Sequence, residues 1–89
     1  MAWRIELLPA ADRELRKLDP QAARRILTFL ADRIAPSKNP RALGAALKGS
    51  ALGEFWKYRV GDYRIIVRIE DRLVKILVVR IANRRDVYR

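Results

Sequence analysis

Polar and apolar residues alternate near the start of the chain. Trp3, Ile5 and Leu7 fall on one side of an extended segment, with Arg4 and Glu6 on the other. That period of two predicts a strand with one buried face. Pro9 ends the pattern and suits the first turn of a helix. From Ala10 to Leu18 the period lengthens: Ala11, Leu15 and Leu18 recur at spacings of four and three. The charged residues between them predict a short amphipathic helix. Asp19-Pro20 reads as an N-cap followed by proline at the first helical position. The second helix runs to about Ile34, with Ala23, Ile26, Leu27, Leu30 and Ile34 on its apolar stripe. So short a connection predicts an antiparallel helical hairpin.

The segment Ala35-Pro36-Ser37-Lys38-Asn39-Pro40 breaks the helical period, since its prolines and Ser/Asn pair favour turns. Residues 41–53, with three glycines and scattered leucines, predict a loop or a partly helical connection packed loosely on the body. Alternation returns in Phe55–Val60 and Tyr63–Ile69, separated by Gly61-Asp62. A second turn at Glu70-Asp71 leads into the Val-, Ile- and Leu-rich run Leu73–Ile81. Three strands joined by two-residue loops predict an antiparallel meander. The whole is a two-layer α+β fold, β-α-α-β-β-β, with the helical hairpin packed on an antiparallel-rich sheet. Residues 1–89 are expected to form a single domain.

Because side chains alternate across a strand, the faces of the first hairpin can be assigned. Trp56, Tyr58 and Val60 share a face with Tyr63, Ile65, Val67 and Ile69, which should lie under the helices. Phe55, Lys57 and Arg59, with Arg64, Ile66 and Arg68, should face solvent. Trp3, Trp56, Tyr58 and Tyr63 could stack on bases, but their place on the apolar rows points to core packing.

Charge changes the picture. Twenty Lys and Arg oppose ten Asp and Glu, a net charge of +10 and a pI near 11.1. A body this small and this basic attracts polyanions, with nucleic acid first among them. Its hydrophobic content of 51% is too high for a disordered basic tail. The sequence has no Cys and no His, which removes disulfides, thiolate nucleophiles, the usual general base and the commonest metal ligands. No cofactor or metal is expected. With no apolar signal region at the N-terminus and no long apolar run, the expected compartment is the cytoplasm.

On the solvent face of the two hairpin strands no carboxylate is expected among Lys57, Arg59, Arg64 and Arg68. Arginine forks can hold two phosphate oxygens and stay charged at any physiological pH. The plainer alternative is that these are ordinary outward polar residues of a half-wet sheet. The last nine residues add Arg84, Arg85 and Arg89 and the tyrosine Tyr88.

Three stretches carry a family resemblance: Leu47-Lys48-Gly49, the run Phe55-Trp56-Lys57-Tyr58-Arg59-Val60-Gly61-Asp62-Tyr63-Arg64-Ile65-Ile66, and the ending Asn83-Arg84-Arg85-Asp86-Val87-Tyr88-Arg89. Together with the order of elements they resemble toxins of the RelE/ParE superfamily, over essentially the whole chain. For the RelE type the resemblance implies a microbial-RNase-like fold and metal-independent cleavage of mRNA in the ribosomal A site, inhibiting translation. It also implies a cognate antitoxin that covers the basic site, and an operator-DNA complex formed through that antitoxin. No membrane partner is implied.

Carried over by position, Lys57, Arg59, Arg64, Arg84 and Tyr88 are the catalytic candidates, and Lys48, Arg68, Arg85 and Arg89 the further RNA contacts. Many relatives carry histidine where this chain has Asn83, which removes one proton donor. The C-terminal helix of longer relatives is expected to be absent. Three other readings use the same residues: a ParE-like inhibitor of DNA gyrase, a non-catalytic nucleic-acid-binding module, and a degenerate toxin that retains only its partners. Codon preference and antitoxin identity do not follow from the sequence.

Overall fold

The computed structural model describes residues 2–47 and 55–83. In chain order they form β1 (Arg4–Leu7), α1 (Pro9–Arg16), α2 (Pro20–Phe29), β2 (Ala45–Ala46), β3 (Phe55–Val60), β4 (Tyr63–Glu70) and β5 (Lys75–Asn83). A π-helical turn, Leu30–Ile34, continues α2, and a 3-10 turn, Pro40–Leu43, precedes β2. The five strands lie in the order β1-β5-β4-β3-β2. β1 runs parallel to β5, and every other pairing is antiparallel. The expected meander is therefore present, with β1 added at its outer edge.

The apolar stripes meet as the periodicity requires. Ala11 and Leu15 of α1 and Ile26, Leu30 and Ile34 along α2 are buried against Tyr58, Ile65, Val67, Ile69, Ile76, Val78 and Ile81 of the sheet. Trp3, Trp56 and Tyr63 pack around this core half-buried, as core residues rather than base-stacking platforms. Pro9 and Pro20 both occupy the first turn of their helices. Asp19 stands at the N-cap of α2, but its side chain makes no capping bond. The backbone alone closes that end, through Ala23 N–H to the Asp19 carbonyl at 2.9 Å.

Five details differ from expectation. Leu27 is 45% exposed, because the stripe narrows to Ile26, Leu30 and Ile34. Steps of four drift by about 40° each on a regular α-helix. The widened turn closed by Ala35 N–H to the Leu30 carbonyl takes up that drift and keeps Leu30 and Ile34 on the sheet. The α-helix accordingly ends at Phe29 rather than Ile34.

The connection after α2 is more ordered than expected. Tyr58 donates a buried hydrogen bond to the Pro40 carbonyl at 2.8 Å. Arg41 grips Asp71 with both guanidinium nitrogens at 2.9 and 2.8 Å and lies 5.8 Å from the Trp56 ring centroid. So anchored, the chain adds Ala45–Ala46 as an edge strand beside Trp56 and Lys57.

The turn between β4 and β5 spans residues 71–74 rather than Glu70-Asp71. Val74 adopts φ 49° there, a left-handed conformation that strains a β-branched residue. Because β4 extends to Glu70, a carboxylate does stand on the solvent face, where it pairs with Arg68 at 2.9 Å. The Gly61-Asp62 turn is the expected two-residue connection, with Gly61 at φ 58°, a conformation open to glycine at little cost.

Candidate nucleic-acid interface

The solvent face of β3 and β4 carries the cations that the alternation assigned to it. Their register brings Arg59 directly opposite Arg64, and Lys57 opposite Ile66. Side chains at opposed positions have Cβ atoms about 4.5–5.5 Å apart, and like charges there repel. A cavity of about 300 Å³ opens at this spot, lined by Leu43, Gly44, Ala45, Lys57, Tyr58, Arg59 and Arg64. No carboxylate lines it among the described residues.

The far wall of the cavity follows from packing. Tyr58 is buried, meets Phe29 edge to face at 5.6 Å, and holds the Pro40 carbonyl with its hydroxyl. Gly44 then lies flush on the Tyr58 ring. A Cβ at position 44 would come within 2.6 Å of the Lys57 carbonyl and 2.8 Å of that ring. Burial pushes the Tyr58 hydroxyl up to about 12, against the opposing charge of Arg41. It is therefore a fixed structural donor at neutral pH and not an acid–base group.

A second cavity, of about 630 Å³, meets the first at Arg64. Its walls are Glu14, Lys17 and Leu18 at the end of α1, Leu47, and the Tyr63–Ile66 and Arg80–Asn83 ends of β4 and β5. Arg64 is the residue the two cavities share.

Of the sequence candidates, Lys57, Arg59 and Arg64 are brought together. Arg68 lies four residues along β4 from Arg64, about 13 Å at the usual rise, and lines neither cavity. Lys48, Arg84, Arg85, Tyr88 and Arg89 lie outside the described residues. The reading from sequence did not include Glu14, Lys17 or Arg80. No sequence signal marks Arg80, because plain alternation from Ile76 and Val78 would turn it into the core. The register shift opposite Ile66 and Val67 turns it outward instead.

A helical pair on one face of a five-stranded mixed sheet is the α+β architecture of RelE toxins. The toxin–antitoxin complex RelBE2 from Mycobacterium tuberculosis matches with a TM-score of 0.83 at 24% identity, over 94% of this chain and 100% of that one. The isolated E. coli RelE toxin matches with a TM-score of 0.72 at 20% identity, over 92% of this chain and 84% of that one. In sequence, Toxin RelG of Mycobacterium tuberculosis (strain ATCC 25618 / H37Rv) is 29% identical over 89 residues, covering 100% of this chain and 99% of the relative. The family model for the ParE toxin of type II toxin-antitoxin systems, parDE, matches residues 5–88. The chain belongs to this family, and it is a type II toxin of the RelE/ParE superfamily. Among the described residues no helix is long and apolar enough to cross a membrane.

Proposed function

We propose that this toxin is a ribosome-dependent, metal-independent endoribonuclease that cuts mRNA in the A site and so stops translation. The observation that carries the reading is the Arg59–Arg64 cross-strand pair beside Lys57, around a cavity whose described walls hold no carboxylate. Arginine forks placed this way can hold phosphate oxygens in pairs and stay charged at any physiological pH.

The reaction is a transesterification. The ribose 2′-oxygen forms a bond to phosphorus, the bond from phosphorus to the 5′-oxygen breaks, and a 2′,3′-cyclic phosphate and a 5′-hydroxyl result. The 2′-hydroxyl must lose a proton, and the departing 5′-oxygen must gain one. In this reading Arg64 and Arg84 neutralise the charge that develops on the phosphorane. Lys57, or Tyr88 with its pKa lowered by neighbouring arginines, accepts the proton, and Arg59 holds the phosphate with them. Arg84 can instead serve the leaving group. Lys48, Arg68, Arg85 and Arg89 extend the contact along the strand. The chain works as one domain in the cytoplasm. Its partner is a cognate antitoxin that covers the basic face, as the RelBE2 complex pairs a related fold with an antitoxin, and through it an operator-DNA complex.

A second reading, inhibition of DNA gyrase by protein contact, is favoured by the family model that matches residues 5–88. One experiment separates the two: induction of the chain in a bacterial host, alone and with its antitoxin, with mRNA 5′ ends mapped by primer extension. Ends in register with translated codons, suppressed by the antitoxin and lost in Arg64→Ala and Arg84→Ala, support the nuclease. Growth arrest with intact mRNA and accumulated DNA breaks moves the answer to gyrase.

A further inference from the structure

β1 ends at Leu7, opposite Val78, so among the described residues β5 has no strand on that side beyond this point. Edge N–H groups left in this way need an acceptor. Glu14 supplies it from the last turn of α1: its carboxylate accepts the Ile81 N–H at 2.9 Å. The same carboxylate holds Arg80, with Nε at 3.1 Å from both oxygens and Nη2 at 2.9 Å.

This clamp sits where the register of β5 slips. Ile66 pairs with Arg80, but the next residue, Val67, pairs with Val78. The extra residue, Val79, puts Arg80 on the same face as Arg64, which pairs with Ala82. Arg80 and Arg64 are thus diagonal neighbours across the ladder, about 7–8 Å apart. Both line the second cavity, with Lys17 on its rim and Ile66 and Ala82 as apolar surface. The Arg80 side chain remains 59% exposed although Glu14 holds it, and the fork has donors beyond the two nitrogens that Glu14 engages.

Glu14 is the carboxylate among the residues lining the two cavities, which raises the alternative that it acts as a base. Burial pushes its carboxyl up, but the Arg80 hydrogen bond, the Ile81 N–H and the charges of Arg80 and Lys17 outweigh that and leave it below its ordinary value. A carboxylate with a lowered pKa and occupied lone pairs is a poor proton acceptor. It is well suited to hold an arginine still.

We propose that Arg80 is a second phosphate-binding residue, oriented by Glu14, and that the cavity between α1 and the β4–β5 ladder takes the RNA strand on the far side of Arg64 from Arg59. The inference rests on the RNA-cleaving reading above. In it, consecutive phosphates lie on Arg64 and Arg80, and a ribose or base rests on Ile66 and Ala82. Glu14 is a positioning residue, since it acts through Arg80.

The test is binding of a fluorescent 2′-O-methyl oligouridylate, which cannot be cleaved, to the full chain at several salt concentrations, with thermal melts as a control for folding. For Arg80→Ala the expected result is about a tenfold loss of affinity and a salt-dependence slope shallower by about 0.7. For Glu14→Gln, removing a negative charge beside a polyanion should by itself tighten binding. The clamp predicts the opposite, a loss of severalfold that Arg80→Ala abolishes when the two are combined. An unchanged slope in Arg80→Ala, with Arg64→Ala still impaired, overturns the assignment of Arg80 and leaves the RNA reading standing. Tighter binding by Glu14→Gln overturns the positioning role. If the wild type does not bind the oligonucleotide and Arg64→Ala leaves mRNA cleavage on the ribosome unchanged, the RNA reading itself fails and takes the inference with it.

Discussion

The two ends of the open sheet face use the same residue types differently. At the end near residues 71–74, carboxylates are interleaved with the cations. Arg68 pairs with Glu70 at 2.9 Å and Lys75 with Glu6 at 3.1 Å. At the Gly61 end, Arg59 faces Arg64 across the ladder with Lys57 beside them, and the cavity they line holds no carboxylate among the described residues. Exposed ion pairs of the first kind stabilise a fold by at most about 1 kcal/mol each. The second arrangement gathers positive charge around a cavity of a size to admit a phosphate. The two ends differ in the placement of the acids rather than in the number of arginines.

Substitutions that break this contrast should affect activity at one end and stability at the other. The largest effect is expected from Arg64→Ala, which should slow mRNA cleavage by about a hundredfold or more, the loss typical of removing one charge-stabilising group. Arg59→Ala should cut activity while leaving stability within about 0.5 kcal/mol of wild type, as expected for an exposed side chain. Single-turnover cleavage and thermal melts check both.

Gly44→Ala comes next. Its Cβ would press on the Lys57 carbonyl and the Tyr58 ring, and such overpacking costs about 1–3 kcal/mol. Because Gly44 forms a wall of the first cavity, activity should fall as well. A stable and fully active variant would show that this wall can move away freely.

Tyr58→Phe should destabilise by about 1 kcal/mol through loss of the bond to Pro40. It also carries a pH signature. The Tyr58 hydroxyl is raised by burial to about 12, against about 10 for an unfolded tyrosine. The folded state thus holds its proton more tightly, so this stabilisation is intact below pH 10 and is lost as pH rises towards 12. The urea midpoint should fall across that window for the wild type and fall less for Tyr58→Phe.

At the ion-paired end the effects should be small. Arg68→Ala should weaken RNA binding only severalfold, with stability within about 0.5 kcal/mol of wild type. Val74→Gly relieves the left-handed backbone at the 71–74 turn and should stabilise by about 1 kcal/mol, since strain of about 1–3 kcal/mol exceeds the entropy that glycine adds. Cleavage should not change.

Much of this was legible in the sequence for a physical reason: period and burial are coupled. The alternation in Phe55–Val60 and Tyr63–Ile69 assigned Lys57, Arg59 and Arg64 to the open face and Tyr58, Ile65 and Val67 to the core, and the structure places them so. The helical stripes likewise found Ala11, Leu15, Ile26, Leu30 and Ile34. What was hidden depends on contacts distant in sequence. The parallel seat of β1 beside β5, the π-helical turn that leaves Leu27 outside, and the edge strand Ala45–Ala46 are set by tertiary packing. Arg80 was hidden by parity. A one-residue bulge reverses every side chain beyond it, and nothing local in Val78-Val79-Arg80 announces that slip.

Whether the cations around the first cavity cut mRNA is decided in a reconstituted translation system with a defined message, purified wild-type toxin and the Arg64→Ala variant, with the chemistry of the RNA ends determined. Cleavage should be confined to the A-site codon of translated message, leave 2′,3′-cyclic phosphate and 5′-hydroxyl ends, be abolished in the variant and be unaffected by chelation of free divalent ions after ribosome assembly. Intact message at full ribosome occupancy, with supercoiling by purified gyrase blocked at the same toxin concentration, would contradict it.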